Sequence, residues 1–370
     1  MIKLQKKTES DLHIFLGVIA TLVTTGLLFI YSASSIYAVE HFSSAHYFVR
    51  KQAFGLLIGC ITLCIGRFFP LTILKKLSPL FFFSTLVLTG LTLTPFLSRH
   101  IHGSSRWIQL FGFSFQPSEL LKVALILYVA HLLAKKEFRT SSFWHSFFPL
   151  MAILGVTSLI LLKQPDFGLT VTLCTTTFIL LFIAHFQIKH LLLTLSALVP
   201  AAIVLIVKYP YRLQRVLTFL NPWADPQGAG FQIIQSLIAI GSGGFWGLGI
   251  SQSKQKFFYL PMQHTDFIFS IIAEETGFIG SCVVITLFVL FLYLGISIAN
   301  QLKNSFTVFT TLGFVFLINL QAIINLAVAT GLAPTKGIGL PFVSFGNTAL
   351  VCNLFMVGII MNMVHNNTSS

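Results

Sequence analysis

Charge is what this 370-residue chain has least of. Only ten residues are Asp or Glu, and all Asp, Glu, Lys and Arg together make up 9%, against 55% hydrophobic residues. So little charge cannot coat a water-soluble surface, and the mean hydropathy of +0.87 points to a chain dissolved in lipid. The 23 Lys and Arg leave a net charge of +13. Cations this sparse suit loops beside a membrane rather than a nucleic-acid interface, with membrane lipids and lipid-linked substrates as the anionic partners and no nucleic acid. Cysteine is scarce too. Cys60, Cys64, Cys174, Cys282 and Cys352 all sit within apolar runs, without paired-loop or metal-ligand spacing, so no disulfide framework is implied. No internal repeat and no soluble nucleotide-binding domain is present. Gly241-Ser242-Gly243-Gly244 lacks the Gly-Lys-Ser/Thr ending of a phosphate-binding loop and reads as tight backbone turns. His100-x-His102 has no third ligand to complete a zinc site.

Apolar sequence is what the chain has in abundance. A bilayer core of roughly 30 Å takes about 20 apolar residues as helix. Ten such stretches run over 12–35, 52–72, 79–97, 118–135, 144–162, 168–187, 190–208, 267–299, 306–330 and 343–363. The expected fold is therefore an all-α polytopic membrane protein of about ten transmembrane helices, a single membrane domain over 1–370. The first stretch exceeds the apolar core of a signal peptide, about 7–15 residues, and is kept as an uncleaved helix. Ten spans put both termini on one side. Lys3, Lys6, Lys7, Lys75, Lys76, Lys135, Lys136, Arg139 and Lys189 cluster in segments sharing that side, which makes it cytoplasmic. Residues 209–266, between spans seven and eight, form one large extracytoplasmic loop. Its aromatic residues, among them Tyr209, Tyr211, Trp223, Trp246 and Tyr259, argue against disorder. Within it Gly230 to Gly249 suits a short helix ending in glycines, and the loop is expected to fold back on the outer membrane face. Asn366 to Ser370 reads as a frayed tail.

Ionisable groups in a membrane cost about 3 kcal/mol each on insertion, so their placement is informative. Glu119 and Lys122 open the fourth span, Asp166 lies between the fifth and sixth, Asp225 sits in the long loop, and Asp266 to Glu275 open the eighth. All fall toward the external side, where a site could be built. Glu119 and Lys122 are spaced i, i+3 after Ser118, a plausible N-cap, and form either a plain helix-end ion pair or a Lys122 that binds phosphate from a watery cavity while Glu119 holds it. Asp266 is either a helix N-cap or a group standing where the loop re-enters the membrane. Glu274, about 12 Å deeper on the same helix, could line the same cavity, whereas Glu275 faces away and suits a partner on another helix. Arg212 and Arg215, again i, i+3, join Arg106, Lys254, Lys256 and Lys336 as external cations, for lipid headgroups or collectively for a pyrophosphate.

Several motifs, in order, resemble the SEDS family of bacterial membrane proteins, the shape, elongation, division and sporulation group that polymerises peptidoglycan glycan strands. They are Gly103-Ser104-Ser105-Arg106-Trp107, Phe115-Gln116-Pro117-Ser118-Glu119-Leu120-Leu121-Lys122, Gln164-Pro165-Asp166-Phe167-Gly168 and Gly228-Ala229-Gly230-Phe231-Gln232. His264-Thr265-Asp266-Phe267 with Ala273-Glu274-Glu275 follows, and Pro341-Phe342-Val343-Ser344-Phe345-Gly346 closes the set. Asn221-Pro222-Trp223-Ala224-Asp225-Pro226 and Pro334-Thr335-Lys336-Gly337 look more like the family's division member than its elongation member. Two positions depart from the pattern. Met262 stands where members often carry Glu, and Gly346-Asn347-Thr348 replaces Gly-Gly followed by Ser or Thr; Asn tolerates positive φ, so that turn is expected to survive.

The resemblance implies a lipid II polymerase in the bacterial plasma membrane, placed at the division septum. It implies a class B penicillin-binding protein transpeptidase and other divisome proteins as partners. It assigns catalysis to Asp266, as general base on the acceptor hydroxyl of an inverting transfer. Lys122, Arg212 and Arg215 would meet the charge of the leaving pyrophosphate, with Glu119 orienting Lys122. Arg106, Asp166, His264, Thr265, Glu274 and Ser344 complete the expected substrate contacts. A divalent cation, Mg²⁺ or Mn²⁺, is a possible helper, and no cofactor is certain. The rival readings are a lipid II flippase, which calls for broken helices and polar residues reaching the cytoplasmic half, and a non-catalytic scaffold that recruits its transpeptidase. Neither flippase feature is visible in the sequence.

Overall fold

The computed structural model describes residues 2–94, 99–101, 104–110, 113–135, 142–256, 261 and 263–368. His102, Gly103, Lys136, Arg139, Tyr259, Met262 and Ser370, named above, lie outside them. The described helices in chain order are α1 (Ile2–Phe42), α2 (Tyr47–Phe68), α3 (Leu71–Leu91), α4 (Pro117–Leu133), α5 (Phe148–Lys163), α6 (Phe167–Ile183), α7 (Ile188–Lys208), α8 (Pro210–Leu220), α9 (Phe231–Ser242), α10 (Ile268–Gln301), α11 (Ser305–Ala329) and α12 (Asn347–Thr368). Each of the ten apolar stretches falls on one of them. Eight are long and apolar enough to cross a membrane, α5 with the π-helical turn Phe143–Phe147 that leads into it. The remaining two stretches are α4 and α6, at 17 residues each, the short end of the spanning range. This is an integral membrane protein.

Burial sorts the helices into layers. Leu121 to Leu127 of α4 are all essentially inaccessible, and α11 and α12 are mostly buried, so these three form the centre. α7 exposes nearly all of its apolar residues and faces lipid. The tightest contact joins α2 to α12, where small residues let two backbones approach. A Cβ at Gly66 would sit 2.9 Å from the Phe355 carbonyl, and Asn362 and Arg67 tie the same ends together through the Gly66 and Met361 carbonyls. At that end both chain termini also meet. Asp11 accepts from Ser297 and Gln301, and Asn367 donates to the Gln301 carbonyl.

The opposite end holds most of what differs from expectation. The segment before α4 forms a small antiparallel meander, β1 (Arg99–Ile101), β2 (Ser104–Leu110) and β3 (Phe113–Phe115), so the chain is nearly but not wholly helical. Ser118 does not cap α4. Gln116 holds the N-cap position, Pro117 supplies a first turn that needs no N–H, and Ser118 is buried, accepting from Gln116 Nε2 at 2.9 Å. The long loop contains α9 at its expected place and a further amphipathic helix, α8, that Pro210 initiates.

The eighth span is also interrupted, contrary to the reading that no helix is broken. Gly277 takes φ 67°, ψ −160°, which essentially only glycine tolerates, and splits α10 in two. The freed backbone groups do not face lipid. Leu248 N and Gly249 N donate to the Glu274 and Glu275 carbonyls at 3.0 Å each, and Phe278 N donates to Gly244 O at 2.9 Å. The glycine-rich turn after α9 is therefore the plug of a broken helix, with Gly244, Gly247 and Gly249 all at positive φ.

Candidate active site

A cavity of roughly 480 Å³ opens at the end of the bundle away from the termini. Its walls are the first turns of α4 and α6, residues of α11 and α12, the meander, and two loops, 264–266 and 337–346. Of the residues expected from sequence, Arg106, Glu119, Lys122, Asp166, His264, Thr265, Asp266 and Ser344 line it. Segments up to 302 residues apart in sequence thus converge on one space, since Lys51 and Asn353 share its wall.

Lys122 forms one side. Its ammonium is ion-paired with Glu119 Oε2 at 2.6 Å and donates to Asn353 Oδ1 at 3.1 Å and Gln321 Oε1 at 3.3 Å. Three acceptor oxygens thus meet its three N–H groups, and the residue is 1% exposed. Lys122 is a fixed charge in the cavity wall and not the mobile, water-facing group expected. Arg106 forms another side. Its guanidinium donates to the carbonyls of Gln164 (2.8 Å) and Pro165 (2.5 Å) and lies 3.6 Å from Asp166 Oδ2. Asp166 caps α6 by accepting from Leu169 N at 3.2 Å. Burial pushes its carboxyl above the usual range, and the Arg106 charge offsets part of that shift.

Asp266 stands apart from both pairs. It does not cap α10, whose N-cap position is Phe267 and has no side-chain cap. Among the described residues none hydrogen-bonds its carboxyl oxygens, while its backbone carbonyl accepts from Asn325 Nδ2 at 2.8 Å. Gly337 lies beside it, where a Cβ would come into ordinary contact with Oδ2 at 3.7 Å. Burial raises the carboxyl from 3.8 to about 7; the charges of Arg215 and Arg106 pull it down and that of Asp166 pushes it up. A carboxylate that no described residue hydrogen-bonds, with an affinity for protons near neutrality, is suited to act as a base. His264, packed between Phe48 and Phe345 with ring centroids at 4.4 and 5.8 Å, is lowered by burial to about 4 and stays neutral.

Three expected contacts lie elsewhere. Glu274 accepts from the Ser253 hydroxyl and from Lys254 N at 2.9 Å, and Glu275 accepts from Ser32 of α1 at 2.6 Å with Lys256 3.6 Å away. Both carboxylates are spent on holding residues 253–256 against the upper part of α10, so Glu274 does not line the cavity. Arg212 stacks over Tyr209 at 4.8 Å, outside the cavity lining. Arg215 lies over Tyr211 and donates to Thr335 O at 2.8 Å, so it acts on Asp266 through its field and not from the cavity surface. Ser344 lines the space, but its hydroxyl is taken up within the protein, donating to Thr265 O at 2.6 Å and accepting from Leu340 N at 2.7 Å. Asn347 is not at positive φ. It opens α12, and the left-handed residue of this motif is Phe342, at φ 65°.

Sequence reasoning missed Gln321, Asn353, Asn325 and Gln52. All four are buried amides inside apolar helices, and each was visible as a polar residue that lipid would not accept; attention to ionisable groups alone passed over them. Lys51, exposed at the cavity wall and bonded to Tyr47 Oη at 2.6 Å, is a further cation of the site that the motifs do not include. No three His, Cys, Asp or Glu side chains converge as metal ligands among the described residues. Glu119 and Asp166 are each already paired with a cation, so the site does not present a carboxylate cage for Mg²⁺ or Mn²⁺.

The model of the FtsW/RodA/SpoVE family, described as cell cycle protein, matches residues 12–369. The chain belongs to this family. Membership agrees with the SEDS motifs that build the cavity. Relatives include a probable peptidoglycan glycosyltransferase FtsW of Geobacter sp. (strain M18), 41% identical over 97% of this chain and 98% of the relative. Stage V sporulation protein E of Bacillus subtilis is 38% identical over 97% and 98%. Among solved structures, a chain described under the structural coordination of polymerization and crosslinking by a peptidoglycan synthase complex superposes with a TM-score of 0.78. It is 29% identical and covers 95% of this chain and 97% of that one. The rod shape determining protein RodA of Thermus thermophilus, 24% identical, shares the fold with a TM-score of 0.70 over 95% and 96%.

Proposed function

We propose that the protein is a peptidoglycan glycosyltransferase of bacterial cell division, which extends a lipid-pyrophosphate-linked glycan by one lipid II disaccharide per turnover. The observation that carries this reading is the Asp266 carboxyl, without a hydrogen-bond partner among the described residues, on the wall of a cavity that also holds Arg106, Lys51 and the buried charge of Lys122. The acceptor sugar hydroxyl loses its proton to Asp266 as its oxygen bonds to the donor's anomeric carbon, and the bond from that carbon to pyrophosphate breaks with its electron pair leaving on phosphate. An α-linked donor then yields a β-linkage, so one base opposite one leaving group suffices and no covalent enzyme intermediate is needed. Arg106 and Lys51 face the leaving diphosphate directly, while Lys122 contributes a preorganised field. Glu119, Gln321 and Asn353 hold that ammonium in place. No step is routed through a metal ion.

The name of the Geobacter relative supports the activity, and the peptidoglycan synthase complex supports a transpeptidase of the class B penicillin-binding type as partner. The polyprenyl tails would remain in lipid beside the helices. The cavity end is assigned to the outer face, the termini to the cytoplasm, the enzyme to the septum, and 209–266 to an extracytoplasmic loop within one membrane domain. The break at Gly277 does not favour a flippase, because protein backbone fills it and it lines no part of the cavity. The test is the purified chain with its co-purified transpeptidase in detergent, given lipid II. Polymer from wild type and none from Asp266→Ala is expected. A transporter or a scaffold makes no polymer, and that result would overturn the reading.

A further inference from the structure

Three consecutive carbonyls lead up to and include Asp266, and each is held from a different point. His264 O accepts from Phe345 N at 2.9 Å, Thr265 O from Ser344 Oγ at 2.6 Å, and Asp266 O from Asn325 Nδ2 at 2.8 Å. These residues lie in the turns of 263–267, neither helix nor strand, so no regular ladder takes up their carbonyls and partners from elsewhere in the fold do. Asn325 lies on α11, is 1% exposed, and sends its second N–H to Ile338 O at 2.7 Å. One side-chain amide therefore ties the segment bearing Asp266 to the loop forming the facing wall. Gln52 of α2 secures that loop from behind, accepting from Gly346 N at 3.2 Å and donating to Ser344 O at 3.3 Å.

We infer that Asn325, with Ser344, is a positioning residue for Asp266: the two aim the base at the acceptor hydroxyl by clamping the backbone carbonyls on which its side chain is carried. Because no described residue holds the carboxyl itself, the backbone is what sets its direction. An amide at position 325 does what neither Ala nor Asp can, since only two N–H donors on one group can satisfy two carbonyls belonging to separate loops. Ser344 likewise needs a hydroxyl, because the same oxygen donates to Thr265 O and accepts from Leu340 N. The inference rests on the catalytic reading of Asp266.

The experiment measures kcat and KM for lipid II, and the melting temperature, for wild type, Asn325→Asp, Ser344→Ala and Asp266→Asn, each co-purified with the transpeptidase. Asn325→Asp keeps the size of the side chain and removes both donors. It is expected to lower kcat by roughly 100-fold, the cost of an ångström-scale misplacement, with KM within about threefold of wild type. Ser344→Ala is expected to lower kcat about tenfold with the same split. If Asn325→Asp does not fold, Ser344→Ala and Asn325→Gln, which keeps the donors on a longer stem, decide the matter by the same ratio of kcat to KM effects. Wild-type kcat in the folded variants, or kcat and KM changing together with melting temperature, would overturn the inference. With Asp266→Asn inactive, that outcome removes the positioning role alone; Asp266→Asn polymerising at the wild-type rate removes the catalytic reading and this inference with it.

Discussion

The acidic limb of the rate profile should report Asp266 directly. A general base must be unprotonated to accept the hydroxyl proton, so activity rises as pH climbs through the pKa of the carboxyl. Burial sets that value near 7, from 3.8 in water. With a midpoint near 7, about one enzyme in ten is in the reactive form at pH 6 and about one in a hundred at pH 5, and kcat/KM should fall by those factors. An ordinary Asp, with a pKa near 3.9, would leave the rate flat across the same interval. His264 does not confuse the reading, because its own value of about 4 keeps it neutral throughout. The assay is the initial rate of polymer formation from lipid II at fixed ionic strength between pH 5 and 8.5, with melting temperature followed at each pH. A profile flat to pH 5 while the protein stays folded would refute the claim that a desolvated carboxyl serves as base.

Two further outcomes follow from buried partners. Lys122→Met should lower both melting temperature and turnover, since it strands Glu119 beside Gln321 and Asn353. Breaking a buried pair costs about 3–5 kcal/mol, and a double substitution with Glu119→Gln should recover part of the stability in a thermal-melt cycle. Gly277→Ala should destabilise by at least about 1–3 kcal/mol, because φ 67° with ψ −160° admits no side chain and a Cβ would press on the Phe245 carbonyl; a melting temperature equal to wild type would show that the break relaxes freely.

The membrane architecture was legible because the hydrophobic signal is strong and one-dimensional. Where it slipped, the cause was local. The third stretch was placed at 79–97 because Lys75 and Lys76 read as loop, whereas they belong to α3, which starts right after Pro70 and runs through Pro79. α8 was hidden because its polar face, with Arg212 and Arg215, breaks the apolar pattern of the neighbouring span. The meander consists of strands of three to seven residues, too short to carry an alternation signal. In the site, charged residues stood out because a buried charge must have a reason, and Lys122, Asp166 and Asp266 do share one cavity. What the sequence could not convey is how their bonds are spent. Lys122 and Ser344 looked like ligands for a substrate, yet both are saturated within the protein. Asn325 looked like an interruption in an apolar helix, yet it holds the backbone of Asp266.

The rate of glycan polymer formation by Asp266→Asn, compared with wild type at pH 8 under saturating lipid II, tests the central claim most directly. Asparagine fills the same space but cannot take the proton, so the account predicts a loss of about 10²–10⁴-fold with a folded protein that still co-purifies with its transpeptidase. Polymer formed at the wild-type rate would contradict it.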